Sequence, residues 1–564
     1  MQANTRNTFL VGTLTAAFLA ACNAPLSEPV PPTDTRASVP ISVTTDAAQL
    51  EQNVQRGGTV ALQAIPGRVG IQSVSELNVQ YKFEKLAQVL PPTVGEFELR
   101  ATQVQVQGSK VYVSYTREGS SFAGALDVFN IADPANPKLE LRALLPDTKV
   151  NAAIPANGSI FLGGARPQKI SGLDSPSVLL ELKAKDGTYD ARQTAMPGWA
   201  GTGLVAVGSK LFFTSGNSAC YGEGERVGGT GVLELPNLKR LSLEAHCYAQ
   251  SVDVSAAGSD SDETHEGSDD KKVETSAGGL KIQSDNHGDE DEDKGVSRVV
   301  SLEASSKGKL RVYALKDGQF KGESKILEIG RVAPEEGRNT VDVAGNIAFV
   351  AMGEGGIKAF NLKDMNPTAV YSLEPDSTDP DLLANGVAYS DGLVYTAFGS
   401  GGLRVARLPE SGTQLELLGQ LGLGDGSSAN FVTIAKDLIF VASGKGGLSI
   451  ARRIKQEIKS EFPDNTLKPI LECVSENADG TLTGHFGYVN GNAFPVSVKI
   501  GNSNKFDSAA ATLDRGQPTV FQPGRTPYYP NAAFKVVFPA NEVRVWNLKG
   551  KTSTASNNPA QRCK

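Results

Sequence analysis

The chain has 564 residues but only two tryptophans, four methionines, five cysteines and four histidines. It also lacks any apolar run of about 18 or more residues, which excludes a polytopic helical membrane protein. No excess of basic charge is present, since 55 Lys+Arg face 62 Asp+Glu. A nucleic-acid binder of the basic-patch type is thereby disfavoured. No GxSxG elbow, HExxH pair or GxxxxGK[ST] phosphate loop occurs. Lys445 does lie in SGKGG, but those glycines belong to a repeat described below. The cysteines show no CxxC spacing for redox or zinc chemistry.

What is present is glycine, 60 residues of it, beside short Val/Ile/Leu runs. That composition calls for many strands and turns. The net charge of −7 is uneven: residues 257–296 hold 13 Asp/Glu and 4 Lys, a net of −9. The rest of the chain is therefore close to neutral. Charge-dense segments of this kind cannot bury a core, so the plain expectation is a solvated loop. The segment also contains His265 and His287, with Asp289, Asp291 and Asp293 spaced as positions 1, 3 and 5 of an EF-hand loop. Lys294 replaces the required glycine and Val300 the bidentate glutamate, so an EF-hand is not supported. Loose divalent-cation binding through those five residues is the functional alternative.

Arg6 precedes the apolar stretch FLVGTLTAAFLAA at 9–21, followed by Cys22. A short apolar segment ending in small residues reads as a secretory signal. Leu19-Ala20-Ala21-Cys22 resembles the bacterial lipobox. That resemblance implies a signal peptide at 1–21 and acylation of Cys22, which becomes the first mature residue. Residues 22–50 are then expected as lipid anchor and flexible tether, since 23–45 are rich in Pro, Thr and Ser. The implied location is the bacterial cell envelope, outside the cytoplasm. Asn23 lacks the Asp that retains some lipoproteins in inner membranes, so the outer membrane is expected where the organism has one. Four cysteines remain in an exported chain: Cys220, Cys247, Cys473 and Cys563. An even remainder suggests two disulfides. Three pairings are formally open, and locality favours Cys220–Cys247 and Cys473–Cys563.

Three segments align without gaps: 339–362, 385–408 and 430–453. Each contains a strand, a tight turn, an aromatic strand (Phe349, Tyr395, Phe440), a Gly-Gly turn and a third strand. Fourth strands follow the first two at 367–373 and 414–421. Four short strands per roughly 45 residues is the period of a propeller blade. Looser copies begin near residues 102, 151, 202 and 250, the last interrupted by the acidic segment between its first two strands. That makes seven units over 51–458. The seventh lacks an evident fourth strand, and FEKLAQVL (83–90) supplies one, closing the ring and removing free sheet edges. LDVFNIADPANPKLELRALL (126–145) and IKAFNLKDMNPTAVYSLE (357–374) resemble LVIVD-type propeller repeats. The resemblance covers about residues 80–455 and implies a bacterial surface propeller with no single activity. Propellers of the kelch and quinone-cofactor kinds repeat Trp, whereas Trp199 alone lies within this ring. The tail, 466–564, carries ECV (472–474), HFGYVN (485–490), DRGQPTVFQPGR (514–525), VRVWNLKG (543–550) and a final Cys563. It resembles a C-terminal β module of secreted bacterial proteins, implying a β-sandwich stapled between its first and last strands. The fold expectation is thus all-β: a seven-bladed β-propeller plus a C-terminal β-sandwich.

One aligned position holds Thr102, Asn151, Thr202, Gln250, Asn339, Asn385 and Asn430, all neutral hydrogen-bonding residues. The position two residues on is always apolar. First strands line a propeller's channel, so these seven are candidates for a polar ligand site at its mouth. The simpler account is that Asn and Thr cap the turns entering each unit. His246 and His485 have no readable base–nucleophile partner, and no catalytic residue is assigned. Binding or scaffolding through an envelope partner, with membrane attachment through lipid and no cofactor, is the expected role. The alternatives are cation binding by the acidic segment and a hydrolase-like site at the channel mouth.

Overall fold

The computed structural model describes residues 37–56, 79–186, 188–216, 227–256, 296–332, 338–374, 382–409, 412–424, 426–457, 459, 461–463, 466–507 and 513–564. Strand dominates, and no described helix is long and apolar enough to cross a membrane. Up to residue 457 the described strands form seven antiparallel sheets of four or five strands, apart from one two-stranded hairpin at Thr93–Val94 and Phe97–Glu98. We number the sheets 1 to 7 by their first strands: Arg100–Gln107, Lys149–Ala156, Ala200–Val207, Ala249–Ala256, Val341–Ala344, Gly386–Ser390 and Phe431–Ala435. Each first strand packs beside the first strand of the next sheet, and that of sheet 7 packs on that of sheet 1. The ring is closed, and the fold is a β-propeller.

The repeat explains the local structure. Apolar residues alternate along each first strand, and hairpin turns at positive φ follow, as at Gly108, Gly208, Gly345 and Gly392. Hydrophobic clusters lie between adjacent sheets: Ala388, Tyr395 and Val405 of sheet 6 share one with Val432, Ile439 and Val441 of sheet 7. Sheet 4 is interrupted where expected. Its first strand ends at Ala256, and its second starts at Val296, paired with it. The acidic stretch between them lies outside the described residues.

Closure comes from opposite ends of the ring sequence. Val79–Val89 pairs antiparallel with Leu448–Glu457, with Phe83 opposite Arg453 and Val89 opposite Leu448. Val54–Arg56 then adds outside it. Gly447 makes this crossing possible, because a Cβ there would stand 1.9 Å from the Val89 carbonyl oxygen, and its φ is +69°.

Residues 37–50, expected as part of a flexible tether, are instead packed on the ring. Ser42–Thr44 pairs with Lys138–Leu145 at the outer edge of sheet 1. Asp46 caps the short helix Ala47–Glu51 by accepting from the Ala48 and Gln49 amides. Val39 and Leu50 are buried in inter-sheet clusters. An outer sheet edge presents unpaired backbone groups, and this segment covers one. The Pro/Thr/Ser bias of residues 23–45 does not foretell this packing.

The tail forms its own core. Leu467–Glu476, Thr481–Asn490 and Phe534–Pro539 make one sheet, and Asn504–Asp507, Arg544–Leu548 and Lys551–Ala555 another. Phe486, Phe506, Phe521 and Phe534 surround fully buried Trp546. Its indole donates to Asn504 Oδ1 at 2.9 Å, while Asn504 Nδ2 donates to the Val498 and Pro518 carbonyls. One buried amide thus ties three segments together. Cys473 and Cys563 form a disulfide across 90 residues, as expected. Cys247 is also disulfide-bonded, while Cys220 lies outside the described residues.

Gly447→Ala is expected to lower stability by about 2–4 kcal/mol, from overpacking plus a left-handed backbone. Gly392→Ala is the control: its φ is +75° but nothing lies within 4 Å of its Cβ position. Thermal unfolding should show the larger loss for Gly447→Ala. Equal losses would mean the closing strand does not depend on that contact.

Candidate functional site

The seven polar residues sit where the chain enters each first strand. Six of them direct a donor to one kind of acceptor, the carbonyl just before the equivalent residue of the next sheet. Asn151 Nδ2 donates to Gly201 O at 3.0 Å, Gln250 Nε2 to Arg338 O at 2.7 Å, Asn385 Nδ2 to Ala429 O at 3.0 Å, and Asn430 Nδ2 to Ala101 O at 3.2 Å. Thr202 reaches Ala249 O at 3.0 Å. The Thr102 hydroxyl shares its single proton between Val150 O at 3.3 Å and Ser114 O at 3.0 Å. Asn339 departs from the pattern and donates within its own sheet, to Ala351 O at 3.2 Å. Between sheets 5 and 6 the link is instead a backbone pair, with Gly353 N and Ala384 N each donating to the other's carbonyl.

This geometry explains why the position is neutral. Adjacent first strands share no β-ladder, so their carbonyls need side-chain donors. A carboxylate cannot donate, and a charge there would be costly to bury. Among the described residues, Oδ1 of Asn339 and of Asn385 has no hydrogen-bond partner.

A second tier runs the opposite way, with side chains accepting from amides of the next sheet. Gln103 Oε1 accepts from Ala153 N at 3.3 Å and Thr340 Oγ1 from Val387 N at 3.0 Å. Two carboxylates belong to this tier. Asp253 Oδ2 accepts from Val343 N at 2.7 Å, and Asp342 Oδ2 from Tyr389 N at 2.6 Å. Gln105 occupies the same frame in sheet 1 but meets Pro155, which has no N–H, and its Oε1 is unpartnered. Burial raises the Asp253 pKa to about 7. Asp342 is also raised well above the ordinary carboxylate range, first by burial and then by repulsion from Asp253. These acids escaped the sequence reading. Their sign was there in QSVDVSA and NTVDVAG: one acid inside an otherwise apolar strand.

Arg338 was also missed. It precedes Asn339 at the start of sheet 5, yet its Nη2 donates to Asn151 O of sheet 2 at 2.6 Å. The side chain therefore crosses the mouth of the ring. It is partly accessible but surrounded by protein, which lowers its pKa to about 10 and leaves it charged at neutral pH. Among the described residues its Nη1 has no hydrogen-bond partner.

His246 is in a buried network at the same end of sheets 3 and 4. Its Nε2 lies 2.8 Å from Thr230 Oγ1, and its Nδ1 lies 2.9 Å from Glu303 Oε1. Burial raises the Glu303 pKa, but His246 and Arg311 outweigh that and bring it to about 2. A hydroxyl–imidazole–carboxylate order has catalytic precedent. Here Thr230 is 0 % exposed and both partners 5 %, so no substrate atom can reach the hydroxyl. The network ties sheets 3 and 4. His485 in the tail lies 2.9 Å from Ser475 Oγ. His265, His287, Asp289, Asp291 and Asp293 all lie outside the described residues. Among the described residues, no three His, Cys, Asp or Glu converge as a metal site.

No family model matches the chain, and no curated protein is similar to it. Several solved structures are similar in fold. The Dos1 propeller is 8% identical, with 74% of this chain and 95% of that one covered at a TM-score of 0.38. The WD40 β-propeller domain of Doa1 is 11% identical, covering 64% and 96% at 0.39. The computationally designed Ika8 protein is 12% identical, covering 63% and 98% at 0.34. The propeller assignment itself rests on the closed ring of sheets.

Asp253 has a folded pKa of about 7 against an ordinary value of 3.8. A raised pKa means the folded state holds the proton more tightly, so stability falls as pH rises from about 4 to 7. Asp253→Asn keeps an acceptor for the Val343 amide and removes the charge. It should be more stable than the wild type at pH 8, by up to about 4 kcal/mol, with the gain shrinking toward pH 4. Thermal melts across that range test this; a gain independent of pH would show that ionisation is not its cause.

Proposed function

We propose that the chain is a lipid-anchored cell-envelope protein built from a seven-bladed β-propeller of LVIVD-like repeats and a C-terminal β-sandwich. Its role is to bind a partner at the mouth face of the propeller, without catalysis. The seven four- or five-stranded sheets and the separate tail core support this architecture. The lipobox-like Cys22 supports attachment to the envelope, at the outer membrane where the organism has one.

The observation that carries the binding reading is an apolar surface on the mouth side of sheets 2 and 3. Ile170, Trp199 and Val227 are 56 %, 43 % and 41 % exposed. Their loops are contiguous. The Ser175 hydroxyl donates to the Gly198 carbonyl, and a Cβ on Gly198 would stand 2.9 Å from Gly228 Cα. Exposed apolar side chains on adjoining loops beside polar groups mark interaction surfaces. The loops rest on strands whose entry points the polar girdle holds in place, so the surface is preorganised.

Two experiments test this. Cys22→Ser should move the protein from the membrane fraction to the soluble one; continued membrane association would overturn lipid anchoring. The double variant Ile170→Ser/Trp199→Ser should lose at least tenfold of partner recovery when purified from the native envelope. Val543→Ser, in the tail, should recover partners as the wild type does. Equal recovery by all three proteins would remove the mouth surface from the binding role.

A further inference from the structure

We infer that the mouth of the ring binds a carboxylate-bearing ligand, with Arg338 as its anchor and Trp199 under its apolar part. This deepens the proposed binding role and rests on it. The first observation is the state of Arg338. A guanidinium enclosed by protein ordinarily pairs with a carboxylate, because desolvating an isolated charge costs several kcal/mol. Here Nη2 is held by the Asn151 carbonyl at 2.6 Å, while Nη1 is buried just beneath the half-buried side chain's surface with no hydrogen-bond partner among the described residues. Burial accounts for its lowered pKa, and among the described residues no neighbouring charge contributes. The nearby acids do not serve it. Asp253 and Asp342 face the Val343 and Tyr389 amides. Glu303 is taken by His246 and Arg311. The counter-charge must therefore come from outside the described protein.

The second observation is position. Arg338 is tied to Asn151 O, and Asn151 Nδ2 is tied to Gly201 O at 3.0 Å. Gly201 lies two residues from Trp199, which is 43 % exposed on the rim. The cation and the apolar surface are thus joined through two hydrogen bonds. A single guanidinium arm matches a monoanion. A phosphate dianion would call for more donors than one free Nη1 supplies. The ligand class that fits is a monocarboxylate carrying an apolar or aromatic group: an organic acid or the free C-terminus of a chain.

The test uses the full chain in detergent, titrated with 3-phenylpropionate, with its neutral amide, and with inorganic phosphate. Calorimetry reads affinity, and tryptophan fluorescence reads position, because Trp546 is fully buried and Trp199 is not. The acid should bind at least tenfold more tightly than the amide or phosphate and change the Trp199 emission. Arg338→Gln should reduce the acid preference to less than twofold, while Arg338→Lys should retain most of it. A melting temperature for each variant confirms that it has folded. Equal binding of acid and amide would overturn the carboxylate inference yet leave the mouth as a binding surface. No acid binding, tighter phosphate binding, or an unchanged acid preference in Arg338→Gln would each overturn it too. The partner-recovery experiment above decides the broader reading separately.

Discussion

The structure depends on how neighbouring sheets are joined where they meet at the axis. First strands of adjacent sheets lie side by side but share no β-ladder, so their inward backbone groups have no strand partner. Each such group buried without one would cost about 1–3 kcal/mol. The ring meets this with two tiers of side chain. Asn, Gln and Thr donate to the carbonyls, and Gln, Thr, Ser and Asp accept from the amides. The last link runs from Asn430 to Ala101, so the girdle closes where the strand pairing of Val79–Val89 also closes. Covalent order, edge pairing and side-chain bonding all meet between sheets 7 and 1.

The girdle is not uniform, and its departures concentrate between sheets 4 and 6. Asn339 turns into its own sheet, two carboxylates stand where other sheets carry neutral or apolar groups, and Arg338 leaves the rim to reach sheet 2. Polar groups at odds with their surroundings cluster at functional sites more often than elsewhere. In this protein they share one end of the channel with the exposed apolar loops of sheets 2 and 3. The acidic insert leaves and re-enters sheet 4 at Ala256 and Val296, the opposite end of the same strands from Ala249 and Glu303.

Much of the fold was legible because a repeated sequence states the same local structure several times. The Gly-Gly turns of the three late units mark hairpin ends whose hydrogen bonds recur residue for residue. FEKLAQVL precedes the first unit and the seventh unit lacks a fourth strand, so the two could be matched to each other. The site was less legible. Alignment found the seven girdle residues and their neutrality, but an amide that stitches strands and one that binds a ligand look the same in one dimension. The packing of residues 37–50 had no periodic signal. Its stability comes from covering edges made by residues about 90 to 150 positions later.

The sequence by itself determined what depends on local pattern: the strand-turn period, the interruption in sheet 4, and the near neutrality of everything but the insert. It favoured Cys473–Cys563 among three open pairings, and the structure chose it. Only the tertiary structure decided which polar atoms remained unmatched. Closing the ring brought Arg338 to Asn151 across 187 positions and left it without a carboxylate partner among the described residues. It also set Asp342 beside Asp253 although 89 positions separate them. Whether a buried group is paired depends on what folding places around it, and no single stretch of chain contains that information.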